Sequence, residues 1–174
     1  MMKAFMTGLA ALAIAAPAAL AHVSFETPHA AQDSTFVGVL GIGHGCDGEA
    51  TVKLRVQIPE GVIAVKPTPK PGWSVEIITG PYESSHDYYG TPMTEGVKEL
   101  IWTGELLDAY FDRFVFRGTL SDMHAAGTTL YFPVVQECAT GKLRWTGVPA
   151  EGQDAHDLEH PAPGLHITAP GAGH

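Results

Sequence analysis

One histidine of this chain stands where a secretory leader would be cut away. His22 directly follows Ala19-Leu20-Ala21, the small-residue pattern that precedes leader cleavage. Cleavage there would make His22 the first residue, and its α-amino group, with an ordinary pKa of about 7.7–8.0, would join its imidazole as a second nitrogen donor. Amine and imidazole nitrogens suit Cu(II) among the divalent metals. The sequence predicts a copper chelate at His22, against the alternative that this histidine merely follows a cleavage site.

If a strand begins at His22, its geometry determines which neighbouring side chains could bind the same metal as His22. Alternate side chains of a strand share a face, so Glu26 would point to the same side as His22. The intervening Val23 and Phe25 would enter the core and anchor the N-terminal residue. About 13 Å of extended chain separates the backbones of His22 and Glu26. Glu26 is therefore a candidate ligand only if the strand bends.

Further histidines lie in loops and in the C-terminal tail. His44 occupies a glycine-rich loop, residues 43–48, and is either a further ligand or a loop histidine that hydrogen-bonds its neighbours. The tail contributes His156, His160, His166 and His174. Such a segment can bind Cu(II), Ni(II) or Zn(II) weakly, or can simply be polar. The remaining three, interpreted as solvated residues on loops, are His29, His86 and His124.

Two cysteines, Cys46 and Cys138, make up the thiol content of the chain. Behind a secretory leader they would reach an oxidising compartment, where two cysteines are expected to pair. A bridge closing residues 46–138 would stabilise the fold by about 4–5 kcal/mol in the chain-entropy estimate. The alternative is a pair of thiolate ligands to copper or zinc, which the lack of a Cys-x-x-Cys pair disfavours.

The predicted organisation is a signal peptide (1–21), one domain (22–149) and a tail rich in His, Pro and Gly (150–174) that packs partly on the domain. The apolar part of the leader is shorter than the roughly 20 residues that a membrane span needs, so no transmembrane anchor is expected. We expect a periplasmic or otherwise secreted protein. The formal net charge of −9 becomes more negative when Lys3 leaves with the leader, which disfavours nucleic acid as a partner.

Apolar and polar residues alternate with a period of two along most of the chain, as in residues 51–58. Eight short strands are predicted at 22–26, 36–42, 51–58, 73–78, 98–102, 113–117, 129–136 and 143–146. Turn residues such as Pro59-Glu60-Gly61 separate them. Residues 82–95 are predicted to form a long polar loop, and a single helical turn is expected around 105–111. The pattern favours an all-β protein, a β-sandwich.

The tryptophans and the absent motifs limit the possible functions. Trp73 and Trp102 fall on the apolar phase of strands and are expected in the core, whereas Trp145 is either core or a ring that shields a site. No nucleophile elbow, phosphate loop, His-Glu-x-x-His helix or dinucleotide fingerprint occurs. The sequence does not support acid–base catalysis, so we expect that the protein is not an enzyme.

Short motifs in a fixed order give the chain a family resemblance. They are His22-Val23-Ser24, Gly45-Cys46-Asp47-Gly48, Pro59-Glu60-Gly61-Val62, Lys70-Pro71-Gly72-Trp73, Gly96-Val97-Lys98-Glu99-Leu100-Ile101-Trp102, Phe114-Val115-Phe116-Arg117-Gly118, Tyr131-Phe132-Pro133-Val134-Val135-Gln136-Glu137-Cys138 and Trp145. Each is weak alone, but in this order they are specific. Over nearly all of its mature length, the chain resembles the YcnI-like copper-binding family of exported bacterial domains.

This resemblance implies an immunoglobulin- or cupredoxin-like β-sandwich that binds Cu(II) through a mono-histidine brace. In the brace, the amine and ring nitrogens of the mature N-terminal histidine, here His22, hold the metal. A carboxylate assists, and a tryptophan, here Trp145, lies close to the ion.

The chain departs from the family pattern at the carboxylate. Many relatives have an acidic residue immediately before the phenylalanine that matches Phe114, whereas this chain has Arg113 there, preceded by Asp112. The carboxylate ligand is therefore expected to be either Glu26 or Asp112.

The resemblance implies transport rather than turnover. The predicted function is periplasmic Cu(II) binding by a copper chaperone or copper-acquisition factor, with membrane copper-import or other periplasmic copper proteins as partners. One alternative is a copper-dependent oxidase or oxygenase, for which His44 would be the second histidine. The other is a metal-free envelope interaction module that docks through Tyr88 and Tyr89.

Overall fold

The computed structural model describes residues 22–171. The predicted signal peptide, 1–21, and His174 lie outside this range. Within it the chain forms β-strands and one short 3-10 helix, Ala155–Asp157. The prediction of an all-β protein is therefore confirmed.

Twelve strands occur among the described residues, where eight were predicted. In chain order they are β1 (Ser24–Phe25), β2 (His29–Ala31), β3 (Thr35–Ile42), β4 (Thr51–Gln57), β5 (Val62–Pro67), β6 (Ser74–Tyr88), β7 (Thr91–Leu106), β8 (Asp112–Leu120), β9 (Thr129–Tyr131), β10 (Val134–Cys138), β11 (Lys142–Trp145) and β12 (Gly164–Thr168). They form a four-stranded sheet β1-β3-β8-β5, a five-stranded sheet β11-β10-β4-β7-β6 and a small sheet β2-β12-β9. The two larger sheets face each other across the hydrophobic core as a sandwich.

The order of the strands gives the sandwich two open flanks. On one flank the edge strands are β1 and β11, and on the other they are β5 and β6. The β5–β6 flank contains an apolar groove of about 740 Å³ beside Trp73 and Ile77. The β1–β11 flank contains the histidines described below, so the two flanks differ in chemistry.

In both sheets, alternate side chains along the strands point into the core. Phe114 and Phe116 of β8 are fully buried, as are Leu54 and Trp102 of the opposite sheet. Burying a large apolar side chain contributes roughly 1.5–3 kcal/mol. The ring of Phe116 lies over Gly38 of β3, where a Cβ atom would come within 2.6 Å of the ring, so only glycine leaves room for it.

The prediction of a polar loop at 82–95 is wrong. These residues extend β6 and β7 into one long hairpin. The strands pair from Ser74↔Thr103 to Tyr88↔Thr91 and turn at Tyr89-Gly90, where both residues have positive φ. Most side chains near the tip are exposed, so the pattern lacked the apolar alternation that marks a strand. The register shifts at a bulge between Pro81 and His86.

The helical turn expected around 105–111 is also absent. The chain makes a tight turn there, in which the N–H of Tyr110 donates to the carbonyl of Leu107 at 3.0 Å. In the predicted tail, β12 pairs in parallel with β2 and antiparallel with β9, and it buries Leu165 and Ile167. No helix within residues 22–171 has the length and hydropathy needed to cross a lipid bilayer.

Candidate metal centre

Three imidazoles surround one buried tryptophan on the β1–β11 flank. Trp145, at the end of β11, is only 3% exposed and belongs to the hydrophobic core. Its ring centroid lies 5.8 Å from that of His22, 6.1 Å from that of His44 and 5.0 Å from that of His160. The structure thus brings together three predicted site residues, His22, His44 and Trp145, and adds a tail histidine.

The start of β1 positions His22. Val23 and Phe25 are buried on either side of Ser24, as the alternation predicts. Ser24 pairs with Gly41 and Phe25 with Leu40 of β3, which fixes the strand at the edge of its sheet. His22 is half-buried at the mouth of the flank, so its position is set by its buried neighbours rather than by its own hydrogen bonds.

Gln136 holds the tryptophan and the His44 loop in place. Gln136 lies on the buried face of β10, and its Oε1 accepts the indole N–H of Trp145 at 3.0 Å. Its Nε2 donates to the carbonyl of His44 at 2.6 Å and to the hydroxyl of Thr51 at 2.7 Å. Since the indole N–H is already donated, Trp145 offers the centre an aromatic ring and no nitrogen ligand.

The predicted disulfide is confirmed. Cys46 and Cys138 are bonded, with their Cα atoms 6.0 Å apart, which removes the alternative of two thiolate ligands. Cys46 lies two residues after His44, and Cys138 lies two residues after Gln136. The bridge therefore fastens the glycine-rich loop to β10 beside the tryptophan.

The His44 ring is oriented by a local hydrogen bond. Nδ1 of His44 lies 2.5 Å from the carbonyl of Gly45. A carbonyl oxygen only accepts, so Nδ1 carries the proton and Nε2 keeps its lone pair. The N–H of Gly45 donates to the carboxylate of Asp108 at 2.8 Å, which steadies the loop further.

Burial and neighbouring rings keep His22 in its neutral form. Burial, followed by the electrostatic influence of His156, His160 and His44, lowers the pKa of the His22 imidazole. The neutral imidazole is the form that binds metals. Nε2 of His22 and Nδ1 of His160 are both buried without a hydrogen-bond partner among the described residues. Unpartnered buried nitrogens are costly in a folded protein. A bound metal would satisfy Nδ1 of His160, whereas a chelate with the α-amino group of His22 engages Nδ1 of that ring and leaves its Nε2 unchanged.

The two candidate carboxylates are engaged elsewhere. Glu26 forms an ion pair with Arg113, and Asp112 forms one with Lys70 at 2.6 Å. Arg113, which stands between Asp112 and Phe114, thus pairs with the other candidate carboxylate, Glu26. Either carboxylate would have to leave a cation before it could reach a metal.

The described histidines beside Trp145 are close together but are not arranged as a metal site. Within 22–171, no three His, Cys, Asp or Glu side chains already stand at the spacing that holds a metal ion. The α-amino group of His22, which cleavage after Ala21 would release, is a donor beyond those side chains. The donor set available is therefore one amine and several imidazoles, which matches the nitrogen preference of Cu(II).

The sequence interpretation missed Gln136, and it named His160 only as one of four tail histidines without placing it beside Trp145. Gln136 sits in phase with buried Val134 and Cys138, and a polar residue in that phase was the available signal. His160 had no signal of its own, because only the return of the tail brings it beside Trp145.

Of the three histidines predicted as solvated residues on loops, His86 is wrong on both counts, His29 is exposed but lies on a strand, and His124 lies in a turn and is half-buried. His86 is buried and bonds to Glu60 at 2.8 Å. His29 lies on β2, with its ring 5.7 Å from that of His166 on β12. Nε2 of His124 lies 2.8 Å from the carbonyl of Glu60.

Comparisons with known proteins place the chain in a family and a fold. Residues 22–167 match the family described as a domain of unknown function (DUF1775). Among solved structures, the chain is similar to an uncharacterized protein from Nocardia farcinica, described as having an immunoglobulin-like fold, with 24% identity and a TM-score of 0.64 over 85% of this chain and 99% of that one. At that identity the likeness establishes the fold alone, and it confirms the predicted immunoglobulin-like sandwich. No curated protein matches the chain.

Proposed function

The chain belongs to the family described as domain of unknown function DUF1775, and from that premise we propose that it binds one Cu(II) ion at His22 and passes it to another copper protein. The observation that carries the proposal is the environment of His22. Its imidazole lies against the ring of Trp145, which the imidazoles of His44 and His160 also contact. The resemblance to copper-binding domains supports the same metal.

The proposed donors come from two parts of the chain. The α-amino group and imidazole of His22 form the chelate, and the free Nε2 of His44 is close enough to the same tryptophan to assist. Trp145 closes one side of the centre with an apolar ring, which limits access of water. A cation beside an indole ring gains about 0.5–2 kcal/mol, depending on how far it is desolvated.

The partial exposure of His22 suits transfer rather than turnover. An amine and few imidazoles leave coordination positions open, so a donor from an incoming protein can bind before the first ligands leave. The disulfide suggests an oxidising compartment outside the cytoplasm. We therefore assign the protein to copper handling there, with membrane copper-import or other secreted copper proteins as recipients.

The test compares the N-terminus with an unrelated histidine pair. A chain that begins at His22 should bind Cu(II) one-to-one in calorimetry and give an electron paramagnetic resonance spectrum with nitrogen coupling. The same chain with one Met added before His22, or carrying His22→Ala, should lose this complex. His29→Ala is the matched control, because it removes a histidine that pairs with His166 instead of Trp145, and it should bind as the unaltered chain does.

Unchanged stoichiometric binding in the Met-extended chain would overturn the proposal. Absence of any one-to-one complex in the chain beginning at His22 would favour a metal-free interaction module. Reductant-dependent oxygen consumption above that of free copper would instead favour a copper oxidase.

A further inference from the structure

The segment after β11 returns to the metal centre and carries two of its histidines there. We name residues 149–161 the histidine strap. Its end is fixed by two backbone hydrogen bonds: the N–H of Gly147 donates to the carbonyl of His160 at 3.0 Å, and the N–H of Ala162 donates to the carbonyl of Gly147 at 2.8 Å. Since Gly147 follows Trp145 by two residues, these bonds fix the strap beside the tryptophan.

His160 is the strap histidine that contacts the tryptophan against which His22 lies. Its ring is nearer to Trp145 than either of the other two, with 5.0 Å between centroids. Its Nδ1 is buried and has no partner among residues 22–171. On the other side of the ring, Nε2 lies 4.0 Å from the carboxylate of Glu159, whose side chain is 92% exposed. Because this ion pair is so exposed, it holds the His160 ring only weakly. His160 is therefore free to reorient towards a metal.

His156 lies on the approach to the same place. With His22 it lines a cavity of about 430 Å³ between the start of β1 and the strap. Asp154 accepts the backbone N–H of His156 at 2.9 Å and so caps the short 3-10 helix. The backbone of His156 is fixed by this cap, while its side chain remains exposed beside the cavity.

Because both candidate carboxylates are paired with cations, the strap is the alternative source of a further metal ligand. Glu26 and Asp112 are each paired with a cation, so recruiting either would weaken its ion pair with Arg113 or with Lys70. Recruiting His160 breaks no strong interaction and satisfies a buried nitrogen. An imidazole is also a good ligand for copper.

We propose that His160 replaces the expected carboxylate as a copper ligand, so that the strap completes an all-nitrogen centre with His22. This inference rests on the proposed function. The metal is copper, bound by amine and imidazole nitrogens, and His156 lines the path by which it enters. Copper binding then joins the N-terminal residue to the C-terminal segment across Trp145.

The experiment uses the mature chain beginning at His22, loaded with one equivalent of Cu(II). In His160→Ala we expect one fewer coupled nitrogen in the paramagnetic resonance spectrum. We expect the affinity to fall by at least the roughly 10- to 100-fold that loss of an outer-shell partner costs, because a direct ligand is removed. His166→Ala, which removes a histidine beyond the strap, should leave both readouts unchanged.

A second variant moves the strap without removing an imidazole. In Gly147→Ala the new Cβ would lie 3.1 Å from the His160 carbonyl and 3.2 Å from the Leu158 side chain, so the strap must move away by a few tenths of an ångström. We expect the same direction of change in nitrogen coupling and affinity as in His160→Ala. It also decides the matter if His160→Ala does not fold.

The outcomes separate this inference from the proposed function. If the unaltered chain binds copper and both variants keep its nitrogen count and affinity, the strap is not a ligand segment and only this inference fails. If the unaltered chain binds no Cu(II), the proposed function fails and the inference fails with it.

Discussion

Trp145 shows how one residue serves the core and the candidate site together. It is buried among the apolar residues of the sandwich, yet its ring contacts three imidazoles. The hydrogen bond from its indole N–H to Gln136 fixes the ring orientation. Core packing and site shielding were alternatives for this residue in the sequence. The structure confirms the core position and places three imidazoles beside the ring.

Among the residues around Trp145, we expect replacement of Gln136 to disturb the most hydrogen bonds. Gln136→Leu would leave the Trp145 N–H, the Thr51 hydroxyl and the His44 carbonyl without their buried partner. Leaving buried polar groups unsatisfied costs about 1–3 kcal/mol each at most. We therefore expect the free energy of unfolding to fall by roughly 2–4 kcal/mol in urea titrations.

The control for this variant is Gln57→Leu, the same change at an exposed position of β4. Its free energy of unfolding should remain within about 0.5 kcal/mol of the unaltered protein. Equal stability of the two leucine variants would show that Gln136 does not organise the centre.

At the scale of elements, Glu60 fastens the long β6–β7 hairpin to the sandwich. Its carboxylate accepts hydrogen bonds from His86 at 2.8 Å, from the N–H of Glu83 at 3.0 Å and from Lys98 at 3.0 Å. Burial alone would raise the pKa of Glu60, but the hydrogen bonds from His86, Lys98 and Glu83 together lower it below its ordinary value of 4.5. The hairpin is thus held by a carboxylate that must remain ionised.

This contact should make hairpin stability depend on acid pH. A carboxyl whose folded pKa is lowered stabilises the protein above its unfolded pKa, and that stabilisation is lost as pH falls through the folded value. Glu60→Gln should therefore be less stable than the unaltered protein at pH 7 by about 1–3 kcal/mol. The difference should shrink below the ordinary value of 4.5. Urea unfolding at a series of pH values measures both.

Glu95→Gln is the matched control, because Glu95 is exposed on the same hairpin. It should change stability little at either pH. A Glu60→Gln deficit that stays constant down to pH 3 would mean that the charge of this carboxylate does not hold the hairpin.

The strands also show which parts of the fold the sequence pattern predicts and which parts it does not. Runs with one buried face, such as β4 and β8, were predictable because alternation reports burial directly. The outer half of the hairpin was not, because its side chains are mostly solvated and its pairing rests on the backbone and on distant Glu60. The approach of His160 to Trp145 was equally hidden, since it depends on backbone bonds between Gly147 and the strap.

For the whole molecule, the disulfide joins the loop before β4 to the end of β10. Replacing both Cys46 and Cys138 by Ala should lower the free energy of unfolding by about 4–5 kcal/mol in the chain-entropy estimate, with smaller measured values common. It should also weaken Cu(II) binding, because the bridge fastens the loop that carries His44. Urea unfolding and copper titration measure the two effects.

Reductant provides the control for this prediction. Reduction of the unaltered protein should reproduce the loss of stability, while the double Ala variant should not respond to reductant. A double Ala variant as stable as the oxidised protein would contradict the expected contribution of the bridge.

The centre draws on both ends of the domain, and this has a consequence for the timing of metal capture. His22 precedes the first strand, and His160 lies just before the last. With His160 as a ligand, a chain still crossing the membrane, or one cut short after β11, carries only the amine and imidazole of its leading residue. In the proposed centre, tight copper binding would then begin only when the final segment has arrived, so affinity for the metal would report that the whole domain is present.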